Sequence, residues 1–470
     1  MYKNNLTEGP ILKSLLSLSV PIIATNLLHT AYQLTDTFWV GRLGASAIAA
    51  ISISFPIIFF LIAWGGGMAM AGSILVAQYK GKGDQKAVNH IATQSLLSVL
   101  VIAIFIALIG YFFSPLLIKL MGATPEVNEG AVSYLKISFI GIIFQFICIA
   151  FQSILRGVGN VKLPMFIVLG TVLLNLFLDP LFIFGWKSFP ALGISGAALA
   201  TISTQAIAAI AGLIVLFRDR SGIQMERKDI RPDFSLIWKM FKLGLPASIE
   251  QSSRSVLMII MMFLVVGFGT VITAAYGMGH RMLSLAIIPT IGLSMATSTL
   301  IGQNMGAGKI NRAEKVAKIS ALTAFVVLTL LGVLMFVLAT PLVKMFMPGE
   351  TEALVHSVLF LRIMSFILGF IGIQQVLSGA LRGAGSTLAA MILTLVSLWA
   401  LLLPLAYLLS QHTGLKELGI WIAFPITDVI AAIITILWFA RGSWKKKKIT
   451  EEIQIIKRIE EEAIIEEGIN

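Results

Sequence analysis

Apolar stretches long enough to cross the hydrocarbon core of a bilayer recur along the whole chain, separated by short polar segments. Each stretch is expected to be helical, because only a helix pairs all of its own backbone N–H and C=O groups away from water. The pattern therefore predicts an all-α polytopic membrane protein with twelve transmembrane helices. The spans are expected near residues 12–39, 50–77, 88–112, 131–153, 164–184, 193–217, 237–265, 275–300, 315–345, 355–378, 387–409 and 418–440.

The composition excludes an ordinary soluble protein. Of the 470 residues, 57% are hydrophobic and 12% are charged, whereas a soluble domain carries about 25% charged residues. The single cysteine, Cys148, lies in an apolar stretch and can form neither an intrachain disulfide nor a thiolate metal site. The five histidines show no ligand spacing. The cysteine and the histidines therefore do not predict a metal site.

The net charge of +12 indicates topology rather than nucleic-acid binding, because the basic residues lie in short loops. Most of the 35 Lys and Arg residues fall in the termini and in the loops that follow the even-numbered spans. By the positive-inside rule, both termini and the long loop after the sixth span are expected to be cytoplasmic, in a multi-pass protein of the plasma (inner) membrane. The opposite loops hold only Arg42, Lys119, Lys136, Lys187, Lys344 and Lys416.

The two halves of the chain repeat each other at a nearly constant offset. Pro21 and Pro246 are 225 residues apart, and Arg156 and Arg382 are 226 apart. The same offsets relate Gln78-Tyr79-Lys80-Gly81-Lys82-Gly83 to Gln303-Asn304-Met305-Gly306-Ala307-Gly308, and Leu155-Arg156-Gly157-Val158-Gly159 to Leu381-Arg382-Gly383-Ala384-Gly385. We interpret these glycine motifs as helix-ending turns rather than phosphate loops, because no strand–helix unit adjoins them.

This repeat predicts the domain organisation. An N-lobe is expected over 1–218, a cytoplasmic linker over 219–236, a C-lobe over 237–442 and a cytoplasmic tail over 443–470. Six spans per repeat give both lobes the same orientation, so two parallel six-helix repeats are expected around a central cavity. The tail is expected to be either an amphipathic helix on the membrane face or a solvated segment.

Two acids and an amide within the N-lobe spans correspond to apolar residues in the C-lobe. Asp36 in the first span corresponds to Met261 in the second repeat. Asn175 and Asp179 in the fifth span correspond to leucines, Leu401 and Leu405. Placing an ionisable group at bilayer depth costs at least about 2.5–3.5 kcal/mol, so each such residue is expected to have a structural or functional role. Because the other repeat folds without these groups, a functional role is favoured over a structural one.

The N-lobe polar residues predict a site built from oxygen atoms. Asn175 and Asp179 share a helix face, Tyr32 and Asp36 share another, and Thr201 supplies a hydroxyl from the sixth span. Such a cluster can bind Na⁺, or hold one proton between two carboxylates. Pro180 frees a backbone carbonyl one turn earlier and is a candidate hinge. The alternative interpretation is a helix–helix hydrogen-bond clamp.

Candidate residues in the C-lobe cavity are Glu250, Arg254, His280 and Arg281. Glu250 and Arg254 are four residues apart on one helix, and a local ion pair is the favoured interpretation over substrate contact. His280 and Arg281 follow in the eighth span, and the sequence does not place them relative to this pair.

The order of these motifs resembles the multidrug and toxic compound extrusion (MATE) transporters. The resemblance covers about residues 8–442. It rests on the twelve spans in two repeats, on Pro21, on Leu155-Arg156-Gly157, and on two motifs beside the polar residues, which are Thr35-Asp36-Thr37-Phe38-Trp39-Val40-Gly41 and Asn175…Asp179-Pro180. It implies a secondary active antiporter, not an enzyme, that exports amphipathic organic cations in exchange for Na⁺ or H⁺. We expect a monomer in the lipid bilayer, with no cofactor besides the coupling ion.

Within the family, the resemblance is to the DinF-like and archaeal-type branch. It implies an N-lobe cation site at Asp36, Asn175, Asp179 and Thr201, with Tyr32 beside it. The NorM-like branch also uses a C-lobe site with acids in the seventh and tenth spans. Glu250 fits the first position, but the tenth span here contains no acid, so the second site is incomplete.

Three other functions fit the sequence less well. A flippase of lipids or lipid-linked precursors is the nearest alternative, but it would line its cavity with several cations. Here only Arg254, Arg281 and Arg362 lie within the spans. An intramembrane aspartyl protease would need a glycine-rich motif before one aspartate, which Phe177-Leu178-Asp179-Pro180 lacks. A channel would need a symmetric constriction, which the asymmetric acids do not support.

Overall fold

The helices follow the apolar stretches and extend beyond them at most ends. The computed structural model describes residues 6–187, 190–218, 222–225, 227–347, 349, 351–447 and 449–450. Most of the predicted tail lies outside the described residues. In the first half, the helices are α1 (Ile11–Gly41), α2 (Ala45–Lys82), α3 (Gln85–Leu120), α4 (Pro125–Gly157), α5 (Lys162–Phe184) and α6 (Gly193–Phe217).

The second half contains further helices, with a π-helical segment at Val396–Leu402. They are α7 (Phe234–Val266), α8 (Thr270–Gly306), α9 (Ile310–Phe346), α10 (Thr351–Ser365), α11 (Leu368–Gly383), α12 (Thr387–Leu395), α13 (Leu403–Gln411) and α14 (Glu417–Ala440). Helices α12 and α13 are the two ends of one span interrupted by the π segment. Among the described residues, 11 helices are long and apolar enough to cross a membrane, and α10 with α11 completes a twelfth span. The predicted all-α polytopic fold is confirmed.

Two spans are irregular where the sequence predicted plain helices. The tenth span bends by 54° between α10 and α11. At this bend Gly332 of α9 lies directly against the backbone carbonyl of Ser365, an approach that only a glycine allows. In the eleventh span, the π segment ends at Leu402, two residues before Pro404, whose missing N–H leaves a carbonyl one turn earlier without its helical partner.

The chain forms two compact units, and their boundaries cut through α1 and α7. One unit contains Ala24–Ser248, and the other contains the described residues up to Ile23 together with those from Ile249 onward. The sequence-based division kept α1 whole in the N-lobe and α7 whole in the C-lobe. In the structure, the first part of each helix belongs to the opposite unit. We call the first unit, Ala24–Ser248, unit 1, and the other unit 2.

The repeated glycine motifs end helices in both units. Gly83 and Gly308 follow α2 and α8 with φ of 83° and 72°, and Gly159 and Gly385 follow α4 and α11 with φ of 87° and 84°. Residues with a side chain rarely adopt these left-handed backbone conformations, so glycine is favoured at each position. The geometry agrees with helix-ending turns.

The same motifs bring two helices close together in each unit. A Cβ atom on Gly157 would lie 2.8 Å from the backbone oxygen of Ser73, and one on Gly383 would meet the backbone oxygen of Ser298. The two contacts are related by the repeat. In both, an added side chain would clash with a backbone carbonyl, which cannot rotate away. One close helix contact in each unit therefore depends on a glycine of the repeated motif.

Gly157→Ala and Gly383→Ala should each lower the free energy of unfolding by about 1–3 kcal/mol, because the added methyl group overpacks a helix contact. Thermal unfolding of the purified protein in detergent measures this. Gly170→Ala is the matched control, since a Cβ at Gly170 meets nothing within 4 Å. Equal melting temperatures for Gly157→Ala and Gly170→Ala would contradict the close approach.

Candidate functional site

The polar residues predicted for the N-lobe site lie together in unit 1. Helix α1 carries Asp36, α5 carries Asn175 and Asp179, and α6 carries Thr201. The hydroxyl of Thr201 donates to Asp36 Oδ2 over 3.3 Å, and Asn175 Nδ2 donates to Asp179 Oδ1 over 2.9 Å. The two carboxyl groups lie close enough to interact directly. Three helices therefore bring their polar side chains to one place.

Several oxygen atoms in this cluster have no hydrogen-bond partner. Asn175 and Asp179 are fully buried, and Asp36 is half-buried. Asp36 Oδ1, Asp179 Oδ2 and Asn175 Oδ1 are buried atoms without a partner among the described residues. A hydrogen-bond clamp would pair such atoms, because an unpaired buried acceptor costs about 1–3 kcal/mol. The geometry therefore favours a site that receives a cation or a proton.

Tyr32 lies beside the cluster and joins it through a residue that the sequence did not indicate. Its hydroxyl is 2.8 Å from Thr204 Oγ1, and the Thr204 hydroxyl also contacts the backbone oxygen of Thr201 at 2.8 Å. Tyr134 of α4 is a second unpredicted neighbour, within electrostatic range of Asp36. Thr204 could have been found from its three-residue spacing to Thr201, which places both on one face of α6.

The donor set suits a hard monovalent cation or a proton. Among the described residues, no group of three or more His, Cys, Asp and Glu side chains could hold a metal ion. The unit 1 cluster instead offers two carboxylates, an amide oxygen and a hydroxyl, which are the oxygen donors that hard cations accept. Pro180 follows Asp179 directly, inside α5, and the helix continues through it to Phe184.

In unit 2, Glu250 is held by two arginines rather than one. Arg382 Nη1 contacts Glu250 Oε1 at 2.9 Å and Oε2 at 3.0 Å. Arg254 Nη2 reaches Glu250 Oε1 at 3.3 Å, so the predicted local ion pair exists but is the longer of the two. Thr394 donates to the same carboxylate over 3.2 Å. Glu250 is 2% exposed, and its oxygens are occupied by these donors.

Sequence reasoning missed Arg382. It was interpreted only as part of a helix-ending turn, because Arg156 occupies the same place in the first repeat. Both arginines donate to serine, Arg156 to Ser153 at 2.8 Å and Arg382 to Ser294 at 3.2 Å. The signal that could have identified the pair was Glu250 itself, since a buried acid requires a buried base.

The other two C-lobe candidates are not among the hydrogen-bond partners of Glu250. The ring of His280 packs in a tilted arrangement against Tyr276, with ring centroids 5.7 Å apart. Tyr276 in turn stacks on Trp421. Arg281 is exposed. Asp428 of α14 lies within electrostatic range of Arg254.

Comparison with known proteins identifies the family. A family model described as MatE matches residues 21–181 and 246–408, and so covers both repeats. The chain belongs to the MatE family. The resemblance inferred from the sequence motifs is therefore confirmed.

Individual relatives agree with this assignment. A probable multidrug resistance protein, YoeA of Bacillus subtilis (strain 168), is 29% identical over 440 residues, covering 93% of this chain and 94% of the relative. A FAD transporter of Shewanella oneidensis is 27% identical, covering 92% of this chain and 95% of the relative. A solved structure described as the outward-facing conformation of a multidrug resistance MATE family transporter of the MOP superfamily aligns with a TM-score of 0.89 at 25% identity, covering 95% and 99% of the two chains.

These relatives are transporters, and this MatE protein is a transporter rather than an enzyme. The solved structure also supports the all-α fold over nearly the whole chain. This MatE protein is a multi-pass membrane protein that handles small molecules.

Arg382→Gln should destabilise this MatE protein more than Arg254→Gln, because Arg382 makes the shorter contacts and is 12% exposed, against 35% for Arg254. Removing one partner of a buried ion pair costs about 3–5 kcal/mol. Chemical denaturation in detergent compares the two variants. Adding Glu250→Gln to Arg382→Gln should recover part of the loss. Equal destabilisation by the two arginine variants would contradict the assigned order.

Proposed function

We propose that the protein is a secondary active multidrug efflux antiporter that exports amphipathic organic cations in exchange for Na⁺ or H⁺ by alternating access. The observation that carries the proposal is the pair of adjacent carboxyl groups of Asp36 and Asp179 in unit 1. Each has one buried oxygen without a partner in the part of the chain that the structure describes. The multidrug resistance relatives support the export of drugs. The rest of the proposal follows from electrostatics.

Two adjacent carboxylates in a low-dielectric environment repel each other and lack hydration. A bound Na⁺ or a proton on one of them removes both penalties. Asn175 and Thr201 then supply neutral oxygens that complete the shell of Na⁺. Binding of the ion changes the charge of the cluster. The α5 segment at Pro180 is the candidate hinge whose bending would respond to this change during the transport cycle.

The same negative cluster favours a cationic substrate when the ion is absent. An ion that binds from outside weakens the binding of the organic cation. Exchange follows because the ion and the organic cation compete for the same negative charge. We propose that both termini are cytoplasmic, that the protein works as a monomer in the inner membrane, and that inwardly directed ion gradients across this membrane drive the cycle. The positive-inside distribution of Lys and Arg supports this orientation.

Asp36→Asn should abolish ion-driven efflux, because an amide neither binds a proton nor supplies the negative charge that holds a cation. The measurement is efflux of an organic cation from proteoliposomes under separately imposed Na⁺ and pH gradients. Glu129→Gln, at an exposed glutamate of α4, is the matched control and should transport normally. Normal ion-driven efflux by Asp36→Asn would remove the proposal.

Asn175→Leu should distinguish the two ions. Its amide oxygen is a candidate ligand for Na⁺, whereas protonation of a carboxyl group does not require it. If Na⁺ drives transport, we expect the Na⁺ concentration for half-maximal efflux to rise about tenfold or more, the effect of losing one charge-assisted contact. The same assay under a Na⁺ gradient measures this, with expression checked by chromatography. Na⁺-driven efflux with an unchanged half-maximal concentration would exclude Asn175 as a ligand.

A further inference from the structure

The segment that follows the last helix packs back against that helix. Helix α14 ends at Ala440, and Gly442, with φ of 71°, turns the chain into a short 3₁₀ helix at Ser443–Lys446. The ring of Trp444 stacks on Phe439 with centroids 4.8 Å apart, and Trp444 Nε1 donates to the backbone oxygen of Phe439 over 3.1 Å. Trp444 is 1% exposed. The backbone that carries the neighbouring lysines is therefore held against the end of α14.

The first lysine of this segment has an acidic partner. Lys445 Nζ contacts Glu314 Oε2 of α9 at 2.6 Å, and Glu314 Oε1 contacts Lys318 Nζ at 2.8 Å. Lys446 and Lys447 are exposed, and neither pairs with an acid in the described part of the chain. Because Glu314 already binds two bases, it does not neutralise these two lysines.

Arg441 adds a third positive charge where α14 ends. Its side chain is exposed, and its guanidinium lies over the ring of Trp438, 5.7 Å from the ring centroid. A tryptophan beside a cation is typical of the headgroup level of a bilayer. Within the described ranges, no acidic side chain pairs with Arg441. We call Arg441, Lys446 and Lys447 the α14 basic patch.

An exposed apolar stripe on α14 leads directly to this patch. Ile430, Ile433 and Leu437 are exposed, and their spacing of three and four residues places them on one face of the helix. Arg441 lies on the same face, four residues after Leu437. A wholly apolar stripe on a membrane-spanning helix is expected to contact acyl chains. An apolar stripe that ends at unpaired cations matches the shape and charge of an anionic phospholipid.

We propose that the end of α14 is a binding site for an anionic phospholipid. One acyl chain lies along the apolar stripe, and the phosphate accepts hydrogen bonds from Arg441, whose planar guanidinium suits phosphate oxygens. Lys446 and Lys447 supply the charge that favours an anionic headgroup over a zwitterionic one. The proposal is independent of the transport function, since it involves neither the coupling ion nor the substrate.

The test places a fluorophore beside the patch in the full chain, reconstituted in vesicles of phosphatidylcholine. The single native cysteine, Cys148, is buried, so the label attaches selectively to an introduced, exposed cysteine. Ser443→Cys carries the label at the patch. Lys344→Cys, in the last turn of α9 and therefore at the opposite end of that helix, is the matched control position. A small fraction of nitroxide-labelled phosphatidylglycerol or phosphatidylcholine is added, and the quenching of the fluorophore measures how often each lipid is adjacent.

At Ser443→Cys we expect phosphatidylglycerol to quench at least about fivefold more than phosphatidylcholine, because one Lys or Arg near the membrane surface supplies about that factor for an anionic lipid. At Lys344→Cys the two lipids should quench within about twofold of each other. Adding Arg441→Gln, Lys446→Gln and Lys447→Gln should bring the ratio at Ser443→Cys close to one, since the charges that select the anionic headgroup are gone.

A ratio near one with the patch intact would overturn the inference, as would an undiminished ratio after the three substitutions. If the triple variant does not insert into vesicles, Arg441→Gln alone decides, and its ratio should fall at least about twofold. Inorganic phosphate, added at constant ionic strength, should leave the ratio unchanged. A ratio that phosphate lowers to one would assign the patch to a free anion. A ratio that rises from one only after removal of residues 451–470 would assign it to the acidic tail, and either result would remove the lipid site.

Discussion

The energetic cost of placing charge in a membrane is the constraint on which the rest of this structure depends. Backbone polar groups avoid this cost by pairing within helices, and most side chains in the spans avoid it because they are apolar. The few ionisable side chains within the spans must be neutralised, paired or used. In this protein the two units meet that constraint in opposite ways, and the difference determines the proposed chemistry.

In unit 1, the acids remain incompletely satisfied. Asp36 and Asp179 lie side by side, with neighbouring hydroxyl and amide groups that pair only some of their oxygens. In unit 2, Glu250 is enclosed by Arg382, Arg254 and Thr394. The first arrangement is the proposed site of cation or proton exchange, whereas the second holds its acid fixed by several donors. One duplicated fold thus carries two clusters of different charge.

The sequence predicted the fold well, because apolar length and the 225-residue repeat reflect constraints that act along the chain. It also predicted the grouping of Asp36, Asn175, Asp179 and Thr201, since helical spacing and the comparison between repeats exposed them. Their role as an ion site stays a prediction. The bend after Ser365 was not predicted, because neither the bend nor the nearby approach of Gly332 on another helix leaves a signal in the local pattern. Arg382 was missed because its motif was explained by a turn, and only packing shows that it meets Glu250.

The most direct test of the central claim is the current produced when ions enter the unit 1 site. Purified protein in vesicles adsorbed to a solid-supported membrane is exposed to a rapid rise in Na⁺ concentration or a rapid fall in pH, without substrate. We expect the wild type to give a transient current with one of the two ions, and the variant carrying both Asp36→Asn and Asp179→Asn to give none. A double variant that retains the wild-type current, at equal protein density, would contradict ion binding at these carboxylates.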